Sequence, residues 1–215
     1  MSVIRLPLPS IVSDDVDDWG RDAGVVKRLG WFAGLRWSVH VGGTEHLPRR
    51  GALIVVNTRR LALAPVLAAL AIGARTERPV RFVGRTDVAP LGPAMQRLGA
   101  LLAIPHEVAG ALRAGELVVL GAAHRLDNAS CGPIDHDLVG AAVAARVPLI
   151  PAATISTPTS RSARVELGVP LRAGRRRRGP LAEVELADLA RQRIDAMLDE
   201  LGGTLTGTPL DWFAR

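Results

Sequence analysis

Short apolar runs alternate with helix-forming stretches along nearly the whole chain, and this alternation restricts the fold more than any other feature. Trp37-Ser-Val-His-Val41 alternates like a strand, and Gly42-Gly43 turns the chain after it. Gly51-Ala-Leu-Ile-Val-Val56 is a continuous run rich in branched side chains, the pattern of a strand buried on both faces. Further strands are predicted at Val80 to Val83, Leu101 to Ile104, Leu117 to Leu120, Val147 to Ala152 and around Ala163 to Leu167. Between them fall predicted helices: Trp19 to Arg36, Leu61 to Ile72, Pro90 to Leu98, Val108 to Ala114 and Asp137 to Ala145. A last, amphipathic helix runs from Leu181 to Leu201, with Leu186, Leu189, Ile194, Met197, Leu198 and Leu201 at helical spacing. Strand and helix in turn imply one α/β domain, a central mixed sheet flanked by helices. Residues 1–18, broken by prolines and ending in Asp14, Asp15, Asp17 and Asp18, read as a flexible acidic arm, which leaves 19–215 for the domain.

Composition agrees with one packed core. The 215 residues suffice for one domain, and 48% hydrophobic with 22% charged residues is a globular balance. Aromatics make up only 3%, so the core must be built from Ala, Val and Leu. Lys27 is the only lysine, so the formal charge of +6 and the pI near 11.1 come almost wholly from arginine. A basic chain can attract polyanions, but an arginine bias shared with abundant Ala and Gly reads first as coding composition. Cys131 stands alone, which excludes an internal disulfide and fits a reducing compartment. No signal-peptide pattern is seen, and the apolar stretch Leu61 to Ile72 is interrupted by Pro65 and too short to cross a bilayer. The expected location is cytoplasmic, either free or peripheral at the inner face of a membrane.

Several pieces stand in the order of a known family. Asp18-Trp-Gly-Arg-Asp22 looks like a D-x-W/F-G-x-D segment, and Val41-Gly-Gly-Thr-Glu-His-Leu-Pro48 like a V-x-G-x-E-N-L-P lead-in to a strand. Pro90-Leu-Gly92, Leu98-Gly-Ala100, Ala111-Leu-Arg-Ala-Gly-Glu116, Gly132-Pro-Ile134 and Val147-Pro-Leu-Ile-Pro-Ala152 follow at matching spacing. Together, over roughly residues 18 to 170, they resemble the lysophospholipid (glycerophospholipid) acyltransferase superfamily, which includes bacterial 1-acylglycerol-3-phosphate acyltransferases. The resemblance implies a glycerol-3-phosphate acyltransferase-like α/β fold, acyl-CoA or acyl carrier protein as acyl donor, and no cofactor. In that family an N-H-x4-D motif supplies a histidine that deprotonates a hydroxyl, with the aspartate orienting the imidazole. An F-P-E-G-T-R motif helps to bind the acceptor's phosphate.

The matching positions here lack that chemistry. Asn57 is kept, but Thr58 falls where the histidine belongs, and Leu63, or Pro65 at the longer spacing, where the aspartate belongs. Leu120-Gly-Ala-Ala-His-Arg125 stands in place of F-P-E-G-T-R and keeps only Arg125, while the second motif's arginine falls on Pro105 or His106. A threonine hydroxyl is not a base near neutral pH. The resemblance therefore implies an acyltransferase-family protein without the standard base, kept to bind a lipid, an acyl carrier or an active acyltransferase partner.

Other readings remain at this stage. His124, with Asp127 three residues on, or His106 could serve as a relocated base in an active acyltransferase, although loop histidines are more often surface residues. Arg59, Arg60 and Arg125 could form an anion pocket, or simply a solvated loop. Asp135-His136-Asp137 resembles a metal cluster on paper, but acids at a helix start are expected anyway, so no metal is expected. Arg175, Arg176, Arg177 and Arg178 form a basic tip suited to an anionic membrane surface. A basic nucleic-acid-binding module is the remaining alternative, disfavoured because no aromatic stacking platform accompanies the charge. Trp19, Trp31, Phe32 and Trp37 could anchor at a membrane interface or pack inside.

Overall fold

The computed structural model describes residues 16–36, 38–58, 64–84, 91–123, 130–157, 162–173 and 179–201. In chain order the elements are α1 (Ala23–Arg36), β1 (Ser38–Gly42), β2 (Ala52–Val56), α2 (Ala64–Thr76), β3 (Val80–Val83), α3 (Leu91–Arg97) and β4 (Ala100–Leu101). They continue with α4 (Pro105–Arg113), β5 (Leu117–Gly121), α5 (His136–Ala145), β6 (Leu149–Thr157), β7 (Ser162–Leu167) and α6 (Pro180–Glu200). The strands form one sheet in the order β1-β7-β6-β2-β5-β3-β4. Strands β6, β2, β5, β3 and β4 are parallel, while β7 pairs antiparallel with β6 and parallel with β1. The sheet is mixed, as expected: strand–helix alternation accounts for its parallel pairs, and β6–β7 is the antiparallel one.

β2 is the middle of the sheet and is buried along its whole length. Ala52, Ile54 and Val56 face Ala68, Ala69 and Ile72 of α2, while Leu53 and Val55 face the layer made by α4, α5 and α6. Both faces of the strand are covered, which is why its sequence is a continuous apolar run with no alternation. The helices are bounded by ordinary signals. Asp135 caps α5 by accepting hydrogen bonds from the Asp137 and Leu138 amides, and Pro105 occupies the first turn of α4.

Some boundaries differ from the sequence reading. The first helix begins at Ala23, not Trp19, because Asp22 accepts a hydrogen bond from the Val25 amide and caps it. The strand expected at Leu101 to Ile104 is only Ala100–Leu101, since Pro105 already opens the next helix. On α6, Leu189 is 39% exposed and turned away from the buried Leu186, Ala190, Ile194 and Leu198.

The proposed arm does not extend to Asp18 as drawn. Val16 bridges to Asp22, and the Asp17 carboxylate accepts hydrogen bonds from the Trp19 and Arg21 amides. Its other oxygen lies 2.6 Å from Arg81 Nη2, so this stretch is latched to the sheet. Trp19 belongs to that latch: it stacks on the Arg81 guanidinium, 5.8 Å to the ring centroid, and meets Gly110 of α4. Residues 1–15 lie outside the described part, as do the side chains of Trp31, Phe32 and Trp37.

Candidate functional site

In an open α/β sheet a ligand crevice forms at the carboxyl ends of two neighbouring parallel strands whose following helices leave on opposite faces. Here that condition is met between β2 and β5. β2 leads to α2 on one face, whereas β5 leads to α5 on the other. The residues leaving β2 are Asn57 and Thr58, and those leaving β5 are Gly121, Ala122 and Ala123.

Asn57 is buried, and its amide is held through both nitrogen and oxygen. It donates from Nδ2 to the Thr154 carbonyl at 3.0 Å, and its Oδ1 accepts from the Thr154 amide at 2.6 Å and from Thr154 Oγ1 at 3.0 Å. The side chain thus continues the β2–β6 pairing past the last strand residue. Thr58 is turned to the other side, where its hydroxyl donates to the Ala122 carbonyl. Its methyl packs on Gly121: a Cβ there would come within 2.6 Å of Thr58 Cγ2 and 2.7 Å of Pro65 Cγ. Pro65 is buried at the start of α2. Ala122 donates its amide to the Val56 carbonyl, and Ala123 donates to the Pro133 carbonyl, so the strand end is fixed on both sides.

Among the described residues, then, the ends of β2 and β5 carry an amide, a hydroxyl, a proline ring and small apolar groups. The amide and hydroxyl already have partners. Neither is a base near neutral pH.

One solved structure with this layered arrangement is the crystal structure of the 1-acyl-sn-glycerophosphate (LPA) acyltransferase PlsC from Thermotoga maritima. It matches at a TM-score of 0.58 and 16% identity, over 85% of this chain and 81% of that one. The chain shares its fold with that acyltransferase. At that identity the likeness concerns fold alone. No protein-family model matches the chain, and no curated protein matches it.

The remaining sequence candidates are spread out. His106 is exposed on the first turn of α4, which follows β4, and β3 and β5 lie between β4 and β2. The structure does not bring it to Thr58. Arg59, Arg60, Leu63, His124, Arg125, Asp127 and Arg175 to Arg178 lie outside the described residues. Asp135, His136 and Asp137 are all exposed at the start of α5, where the Asp135 carboxylate is occupied as the helix cap.

Cys131 is buried, and its amide donates to Asp195 Oδ1 at 2.6 Å. Burial, assisted by the Asp195 carboxylate and opposed by Arg191, pushes its thiol up from 9.0 to about 12. The folded chain therefore holds the thiol proton more tightly than the unfolded one. The resulting stabilisation is complete below about pH 9 and is lost as pH rises toward 12. A thiol-reactive disulfide at pH 8 should label Cys131 no faster than the chain unfolds, and Cys131→Ala should flatten the alkaline limb of the stability profile. Rapid labelling of the native protein would contradict this placement.

Sequence reading missed two groups. Thr154 holds Asn57, but nothing in a β-branched strand residue announces such a partner. Arg81 is wholly buried in β3, where an arginine within Val80-Arg-Phe-Val83 was a legible sign that counter-charges must converge on it.

Proposed function

We propose that this chain is an acyltransferase-fold protein that binds an acyl or lipid ligand in the β2–β5 crevice without transferring it. The observation that carries the reading is the commitment of Thr58. At the position where the related enzymes keep a base, the hydroxyl donates to the Ala122 carbonyl and its methyl fills the space over Gly121. The position of the orienting acid is taken by Leu63 or by Pro65, whose ring shares that space. Acyl transfer to a hydroxyl needs a group that removes its proton, and general-base catalysis contributes about 10²–10⁴-fold to such a reaction. Asn57 and Thr154 preserve the shape of the strand ends, so the crevice outlasts the chemistry.

The test is equilibrium binding of a long-chain acyl-CoA thioether, which cannot be hydrolysed, to the wild type and to Thr58→Trp. An indole at residue 58 would fill the space between the β2 and β5 ends. Saturable binding that weakens at least tenfold in Thr58→Trp, with an unchanged circular-dichroism spectrum, is the expected result. Equal affinity in the two proteins would remove the crevice from the account.

A further inference from the structure

A concavity lies between α1, β1 and α2, with a volume of about 980 Å³. Ligand pockets for small organic molecules fall at roughly 300–1,000 Å³, so it is large enough for one. Its apolar lining includes Val26 and Gly30 of α1, Val39 and Val41 of β1, and Leu70 of α2. Its charged lining is lopsided: Arg21, Lys27, Arg75 and Arg78 against Glu77 alone.

Among the described residues Arg21, Lys27 and Arg75 have no acidic partner, and Arg78 donates only to the Pro48, Arg49 and Arg50 carbonyls. Coding bias toward arginine does not account for Lys27, the only lysine of the chain, which is one of the four. An apolar trough with a predominantly cationic lining calls for an occupant that is apolar along its length and anionic at one end.

We infer that this groove binds a single-chain anionic amphiphile, with the alkyl chain between α1 and α2 and the anionic head among Arg21, Lys27, Arg75 and Arg78. An acidic peptide fits less well. The side chains of Val26, Val39, Val41 and Leu70 offer its amides and carbonyls no partners, and only the outer edge of β1 could pair with it, whereas an alkyl chain needs none. The site is separate from the Thr58 crevice. Its apolar lining on α2 begins at Leu67, but its cationic end at Arg75 lies ten residues, or about 15 Å along the helix, from Pro65 at the crevice end. The inference does not depend on how Thr58 is read.

Gly30 provides a clean probe, because a Cβ built there meets nothing within 4 Å. Gly30→Leu would place a side chain in the groove from an open Cβ position and would favour the helix, since glycine is a poor helix former. The experiment is calorimetric titration of the full chain with hexadecyl phosphate below its aggregation concentration, and with hexadecanol and inorganic phosphate in parallel. One site per chain is expected. Gly30→Leu and Lys27→Glu/Arg75→Glu should each weaken it at least tenfold, and Thr58→Trp should leave it unchanged. Hexadecanol and inorganic phosphate should each bind at least tenfold more weakly than hexadecyl phosphate.

Undiminished binding in Gly30→Leu would overturn the proposal, as would equal affinity for hexadecanol or no saturable binding. An acidic amphipathic peptide that displaces hexadecyl phosphate and binds more tightly would also overturn it. Binding lost in Thr58→Trp but kept in Gly30→Leu would move the ligand to the crevice, rejecting the groove and sparing the other reading.

Discussion

Arg81→Ala is expected to destabilise the fold by about 3–5 kcal/mol, the cost of stripping one partner from a buried ion pair. Arg81 is wholly buried, with Nε 3.0 Å from Glu116 and Nη2 2.6 Å from Asp17. Removing it leaves two carboxylates facing each other across a cavity and deprives Trp19 of the cation it stacks on. The arrangement is already expensive, because Arg81 Nη1 is buried with no hydrogen-bond partner. The double change Arg81→Ala/Glu116→Ala should therefore cost less than the sum of the single changes, since the second removes a charge that the first has orphaned. Urea denaturation of the four proteins gives the coupling. Additive losses would mean that the pair carries no mutual stabilisation.

Gly43→Ala should cost about 3 kcal/mol or more. Gly43 has φ +70°, and a Cβ there would stand 2.1 Å from the Leu167 carbonyl oxygen and 3.0 Å from its carbon. That carbonyl cannot swing aside, because the ring of His46, protonated on Nδ1, donates to it at 2.9 Å. The neighbouring Gly42 makes the control. A Cβ there would meet Glu166 Oε2 at 2.3 Å, but this is the far end of a flexible side chain, so Gly42→Ala should cost much less. Thermal melts of the two variants separate backbone strain from crowding. Equal losses would refute the assignment of the turn.

The strands could be read from the sequence because burial on both faces leaves a local trace. Ala52–Val56 is an unbroken apolar run for the same reason that it is the centre of the sheet. Helix ends were less legible, since capping depends on single side chains: Asp22, not Trp19, sets the start of α1. The crevice was legible as a place, because Asn57 and Thr58 directly follow that strand, but its interior was not. Asn57 meets Thr154 across 97 residues, and Thr58 meets Ala122 across 64. The Arg81 latch draws on Asp17 and Glu116, 64 and 35 residues away, and no local pattern names those partners. The apolar groove was invisible for a similar reason. Its floor is shared by α1, β1 and α2, each of which reads as an ordinary packed element on its own.

The most direct test of a crevice without a base is turnover. Purified full-length protein would be given radiolabelled palmitoyl-CoA with glycerol 3-phosphate and with 1-acylglycerol 3-phosphate, and products followed over many enzyme equivalents. The account predicts no product above the protein-free control, unchanged by His106→Ala. Sustained multiple turnover that disappears in Thr58→Ala or His124→Ala would contradict it.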